Sequence, residues 1–303
     1  MIQFIDQSVT PLGLAPSTEP EMLKLIELAG RTAYKSEERI TEDSALKFVT
    51  MLKKSGHLSV LEHSNIAFRG PFCEEDRLDD ISLYKRSAYH PIVFGEDGIL
   101  FGGNLRAWIE TISAMEEGIT WREWFSYGLS SHFPSLFHER KDWKGDGYVS
   151  PGLVSADEQL ELLQADPETD LPVFIFKIVC DRGISHEIVR HRVLSFTQES
   201  TRYVNYAGKG MTCITPCEYD LSEHKHMFND AFEYYKYLLH EGHKPQIARD
   251  VLPNLLKAEL IVSGRWSGWK HFIELRDSNA AHPRIRPIAR FIREYFEGLS
   301  LTV

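Results

Sequence analysis

The segment Arg190-His191-Arg192-Val193-Leu194-Ser195-Phe196-Thr197-Gln198-Glu199-Ser200-Thr201-Arg202-Tyr203 gathers three Arg, a His, two Ser and a Gln within fourteen residues. Arg supplies a rigid fork that fits phosphate or carboxylate, and hydroxyls and an amide can complete the shell. The chemistry open to this set is capture of an anionic ligand. Three adjacent cations can also be a solvated face. A solvated face, however, does not need Ser195, Gln198, Ser200 and Arg202 straight after a buried strand. That strand is the apolar run 171–180 (LPVFIFKIVC), short, β-branched and aromatic. Asp181-Arg182-Gly183 then makes a turn, and 184–192 can form a short helix that presents the donors.

The whole chain sets limits on what such a site can be. Its 303 residues allow one large domain or two small ones. Hydrophobic content of 43% and aromatic content of 12% support a true core. A net charge of −10 disfavours general nucleic-acid binding, so any anionic ligand must be met by a local cluster. No apolar run approaches the roughly 18 to 20 residues of a membrane span. The start, Met1-Ile2-Gln3-Phe4-Ile5-Asp6, lacks the cationic and apolar stretches of a signal peptide, and four cysteines are no disulfide framework. The expectation is a cytoplasmic protein without membrane or nucleic-acid partners. Cys213 and Cys217 lie near His224 and His226; free thiols are the preferred reading and a zinc site the open alternative.

The elements that must position the cluster follow from periodicity. Residues 2–6 read as a strand. Thr18 and Glu21 form a capping-box pattern with Pro20 in the first turn, and Met22, Leu25, Ile26, Ala29 and Ala33 keep helical spacing. A second helix follows Thr41 and stops at Gly56. Residues 92–101 read as a hairpin turning at Asp97-Gly98, and Asn104 caps a helix that carries Leu105, Trp108, Ile109 and Ile112. The stretch 118–170 reads as irregular, with some helix. Further on, 211–215 and 258–262 read as strands, 223–240 as a helix, and 245–253 as a short helix closed by Pro253. Another helix opens over 264–276, and the last buries Ile288, Ala289, Ile292, Tyr295, Phe296 and Leu299. The fold class is α+β: a mixed or antiparallel sheet flanked by helices, one domain over 1–303 with 71–170 as an insertion packed on it.

Arg190-His191-Arg192, seven residues, Ser200, then Arg202-Tyr203 resembles the signature of flavin-dependent thymidylate synthases. Gly56-His57-Leu58-Ser59-Val60-Leu61-Glu62-His63 is similar to a second element of that family, in the right chain order, although no helical His pair of metal-binding spacing is present. An Ala-Arg-x-x-Leu-Pro element at Arg249 and a helix ending in Leu275-Arg276 are similar to further parts of it. The resemblance implies methylation of dUMP to dTMP. Methylenetetrahydrofolate would supply the carbon, and NADPH-reduced FAD the hydride. It places His57, Ser59, Arg190, His191, Arg192, Gln198, Arg265, Trp266, Ser267 and His271 on the cofactor. It places Glu187, Ile188, Val189, Arg190, Gln198, Glu199, Ser200, Thr201, Arg202, Arg249 and Arg276 on the nucleotide. Arg276 would stabilise the uracil anion, so that no cysteine nucleophile and no metal is needed.

The chain also departs from the family pattern. Thr197-Gln198 stands where many members have Asn-Glu, and Ala280 where a His is expected, with His282 two positions later. Gly264-Arg265-Trp266-Ser267-Gly268-Trp269 stands where members often have Gly-Asn-x-Arg-Ala-Trp. That very pattern is spelled by Gly103-Asn104-Leu105-Arg106-Ala107-Trp108, which raises the expectation of one strand-into-helix unit used twice. A catalytically silent paralogue is therefore an alternative. A nucleic-acid-binding module conflicts with the net charge, and a serine hydrolase built on Ser200 and His191 lacks a Gly-x-Ser-x-Gly elbow. The family is homotetrameric, and the residues give a reason of their own for shared sites. Successive side chains at a helix end point roughly 100° apart, so Arg190, His191 and Arg192 should not all serve one ligand.

Overall fold

The computed structural model describes residues 2–70, 92–95, 98–115, 120–137 and 150–303. Within them the strands are β1 (Ile2–Ile5), β2 (Ser8–Leu14), β3 (Ile66–Gly70), β4 (Ile92–Gly95), β5 (Gly98–Gly103), β6 (Gly152–Leu153), β7 (Val173–Asp181), β8 (Ser195–Gln198), β9 (Met211–Ile214) and β10 (Lys257–Arg265). They form sheets ordered β1-β9, β2-β7-β10-β8 and β4-β5-β3-β6. The β1-β9 pair is parallel, whereas β8-β10 and every neighbour pair of the third sheet are antiparallel. Helices flank these sheets, which gives the α+β class with mixed and antiparallel pairing.

The chain divides into two compact units. The first takes in Met1–Leu12, Ala29–Arg39 and Ile175–Val303, the second Gly13–Leu28 and Ile40–Phe174. Strand β7 is apolar on both faces except at Lys177 and its last residue, Asp181, as a central strand should be. The helix Trp266–Arg276 buries Trp266, Gly268, Trp269, Phe272 and Ile273, and Ile285–Gly298 buries Ile285, Ile288, Ala289, Ile292 and Phe296. Both sets repeat every three or four residues, so each helix turns one stripe inward. The stripes meet through Trp266 and Phe296 (4.8 Å between ring centroids), and Phe176 of β7 packs on Trp269 at 4.8 Å.

In the second unit, β3 lies between β5 and β6. Its Phe68 joins Phe101, Trp108, Trp121, Trp124 and Phe125 in one aromatic core. The expected hairpin is present, but Gly95 lies opposite Gly98, so Gly98 opens β5 instead of sitting in the turn; Asp97 lies outside the described residues. Asn104 caps the helix Leu105–Ala114 by accepting the Ala107 N–H at 2.8 Å. Several boundaries differ from the sequence reading. The stretch 118–170, as far as it is described, holds the helices Thr120–His132 and Ala156–Ala165 and is not mainly irregular. The helix after β7 is Arg182–Ile188, so Arg182 and Gly183 belong to it, and it ends before Arg190. Strand β10 runs on to Arg265, which shifts the following helix start to Trp266. Residues 206–210 contain a short helix, Tyr206–Lys209.

Candidate active site

Asp181 ends β7 and caps the next helix, its carboxylate accepting the Ile184 N–H at 2.8 Å. After Ile188 the chain tightens into a turn, with Arg190 N–H donating to Glu187 O, His191 N–H to Ile188 O and Leu194 N–H to His191 O at 2.9 Å. The turn splits the three residues of the cluster. Arg190 and Arg192 are exposed, whereas His191 is buried, 5% exposed. The inward ring packs on Phe272 at 4.9 Å and lies 5.9 Å from the ring of His271.

Arg276, at the end of its helix, meets this buried ring. Its Nε donates to His191 Nε2 at 2.9 Å, and its Nη1 donates to Glu187 Oε2 at 2.8 Å. A guanidinium only donates, so Nε2 must carry the lone pair and the neutral ring its proton on Nδ1. Burial, then the charges of Arg276 and His271, lower the His191 pKa to about 4, which keeps the ring neutral at ordinary pH. The result is a fixed guanidinium, gripped by one carboxylate and one neutral imidazole.

The Ser200 loop is pinned separately. Glu199 N–H donates to Glu259 O at 2.8 Å and Ser200 N–H to Ala33 O at 2.9 Å. Thr201 Oγ1 accepts from Arg249 Nη1 at 3.2 Å, which brings Arg249 to the same loop as Arg202. The Arg202 guanidinium lies 5.5 Å from the Tyr203 ring, and Tyr203 packs on Tyr34 at 5.1 Å. Beneath the loop, Glu199 is 2% exposed; it accepts from Tyr206 OH at 2.9 Å and pairs with Lys257 at 3.1 Å. Lys257 also meets Glu259, which pairs with Lys177 at 2.7 Å and Lys35 at 3.2 Å. Sequence reading missed this network. Its local signals were Lys177 inside an apolar run and the same-face spacing of Lys257 and Glu259 on a strand.

The structure thus brings together Glu187, His191, His271 and Arg276 at one point, and Ser200, Thr201, Arg202 and Arg249 at another. Gln198 is tied to the first group's helix, its amide donating to Ser185 Oγ at 2.8 Å. Ile188 is core, Val189 half-buried, and Trp266 is spent on Phe296. Arg265 is half-buried and Ser267 exposed. His57 and Ser59 belong to the second unit, where both are exposed around the start of the short helix Leu58–Glu62. Exposed Arg190, Arg192 and Arg202, with exposed His271, suit a phosphate-bearing cofactor or nucleotide on this acidic chain. Among the described residues no helix is long and apolar enough to cross a membrane.

Residues 169–299 match the family model described as thymidylate synthase complementing protein. Relatives named flavin-dependent thymidylate synthase include those of Geobacter sulfurreducens, 32% identical over 127 residues (40% of this chain, 55% of the relative), and Corynebacterium glutamicum, 32% identical over 126 residues (36% and 50%). The protein of that name from Mycobacterium bovis is 30% identical over 127 residues (36% and 50%). The chain spans about half the length of the curated relatives it matches. The matched segment, in which the chain is similar to that family, is the one that carries Glu187, Arg190 to Arg202, Arg249 and Arg276.

Proposed function

We propose that this protein converts dUMP to dTMP, with methylenetetrahydrofolate as carbon donor and NADPH as reductant. The observation that carries the reading is the Arg276 guanidinium held ready by His191 and Glu187, beside cations that face outward. Arg190, Arg192, Arg265, Ser267 and His271 would hold FAD. When bound, FAD supplies the hydride that completes the methyl group. Arg202 and Arg249 take the nucleotide phosphate, Ser200 and Thr201 orient it, and Gln198 and Glu199 set the loop. Arg276 faces the uracil and stabilises the negative charge left when N3 loses its proton, which makes C5 nucleophilic.

A thiol is not required by this route, and the buried ones are poorly suited to attack. Burial, with the charge of Asp181, pushes the Cys180 thiol far up, and burial pushes Cys213 up to about 12. The outward Arg190 and Arg192, split from the inward His191, fit sites shared between subunits of a homotetramer. The test is optical and chemical. Purified protein with added FAD should show an oxidised-flavin spectrum that NADPH bleaches, and dTMP should form from dUMP and methylenetetrahydrofolate. Absence of flavin binding on titration would remove the reading; binding and bleaching without dTMP would identify a catalytically silent paralogue.

A further inference from the structure

Leu194 is where the turn bearing Arg190, His191 and Arg192 rejoins the sheet, and it is 3% exposed. Ser195 pairs with Ser263 in the β8-β10 ladder, so Leu194 arrives opposite Gly264. A Cβ on Gly264 would lie 2.2 Å from Leu194 Cδ2. A Cβ on Gly268, one turn into the next helix, would lie 3.0 Å from the same methyl carbon and 3.4 Å from Val193 O. Neither glycine has a positive φ. Backbone conformation therefore does not call for glycine here; space does.

We infer that Leu194, Gly264 and Gly268 are positioning residues: one methyl group keyed into two glycines sets the height of the turn over its sheet. Through that height it sets the hydrogen bond between Arg276 and His191. Leu194 N–H is bonded to His191 O, so a lift of Leu194 is passed to the backbone that carries the ring. In a packed interior the contact has little slack, and an added methylene must displace one partner.

The inference rests on the proposed function for its kinetic readout alone. The imidazole readout stands without it. In protein labelled with nitrogen-15 histidine, the His191 signal is assigned by its loss in His191→Gln. Gly268→Ala should shift the Nε2 resonance and lower kcat/KM for dUMP by roughly ten- to a hundredfold, the scale of a displacement near 1 Å. Gly268→Ala combined with Leu194→Val moves one methylene across the contact at constant volume. It should restore the resonance and most of the activity. A wild-type resonance in Gly268→Ala, or a folded double variant no better than the single one, overturns the inference. If Gly268→Ala does not fold, recovery of folding and of the resonance in the double variant supports the contact, and failure to recover counts against it. Wild-type protein without activity would remove the functional reading and leave the positioning to be judged by the resonance.

Discussion

In the second unit, Leu61-Glu62-His63-Ser64-Asn65-Ile66-Ala67-Phe68 leads into β3, which pairs antiparallel with β5, and β5 runs through Gly103-Asn104 into a helix anchored by buried Trp108. In the first, Val189-Arg190-His191-Arg192-Val193-Leu194-Ser195-Phe196 leads into β8, which pairs antiparallel with β10, and β10 runs through Gly264-Arg265 into a helix anchored by buried Trp269. Each copy buries its histidine, and desolvation leads the lowering of both pKa values, to about 3 for His63 and about 4 for His191. The flanking residues differ. Where the first copy has Arg190, the second has Glu62, which takes the Arg106 guanidinium at 2.7 Å while Glu110 takes its Nε at 2.8 Å. Where the first has Arg192, the second has Ser64, whose hydroxyl accepts the Leu105 N–H at 2.8 Å. One frame is neutralised from within; the other keeps two cations facing outward. Backbone likeness alone therefore does not make a site, and the charge at two positions decides it.

The largest expected effect tests the open copy. Arg276→Ala should lower kcat by about 100-fold or more, the usual cost of one preorganised donor at a developing charge. Folding and FAD titration serve as controls. A variant with Cys73, Cys180, Cys213 and Cys217 all replaced should retain turnover provided it folds. If the cysteine-free protein is folded, flavin-loaded and dead while Arg276→Ala still turns over, the open copy is not a cation-driven site.

In the open copy the loop after β8 is braced from beneath by Glu199 and Glu259 with Lys35, Lys177 and Lys257. Burial alone would raise the Glu259 pKa; hydrogen bonds from Lys177 and Lys257 and the charges of Lys257 and Lys35 outweigh it and lower the value from 4.5 to about 2. The folded protein thus takes this proton only near pH 2, whereas the unfolded chain takes it near 4.5. The contribution is whole above 4.5 and is lost as pH falls through 2. Glu259→Gln, a stand-in for the protonated acid, should cost on the order of 3 kcal/mol at neutral pH and flatten the acid limb of stability. Urea titrations from pH 7 down to pH 3 measure both. A loss that stays constant over that range would mean the carboxylate's charge is not what braces the loop.

Local pattern made the arginine cluster, β7, the Asn104 cap and the last helix legible, because donors, apolar runs and helical spacing are all written within a few residues. The helix Thr120–His132 was obscured by its Gly128. That glycine breaks nothing: a Cβ there would lie 2.8 Å from Pro151 Cβ, so it is small for packing. Gly183 misled in the same way, inside a helix that Asp181 caps. Gly268 read as a departure from the family's Ala, and its reason, Leu194, lies more than seventy residues earlier in the chain. The Glu199 network joins residues from Lys35 to Glu259, a separation over which no spacing rule operates. The donors are written locally in the sequence; the network beneath them is not.

The smallest expected effect tests the closed copy. Arg106 carries the Arg of the Gly-Asn-x-Arg-Ala-Trp pattern, which leaves a ligand contact at Asn104 and Arg106 open by motif; by structure the guanidinium is already held by Glu110 and Glu62. Its two carboxylate bonds and its 39% side-chain exposure place it among surface ion pairs. Pairs of that kind contribute about 0.2 to 1 kcal/mol each. Hydrogen bonds to Glu110 and Glu62 nevertheless raise its pKa, so the cation is held and not merely nearby. Arg106→Ala should therefore lower stability by about 1 kcal/mol or less and leave FAD and dUMP affinity within experimental scatter of the wild type. Thermal unfolding and the same titrations used for Arg276→Ala provide the comparison on one scale. A large loss of affinity for either ligand in a stable Arg106→Ala protein would mean that Glu62 and Glu110 release the guanidinium to a ligand, and the distinction between the two copies would fall.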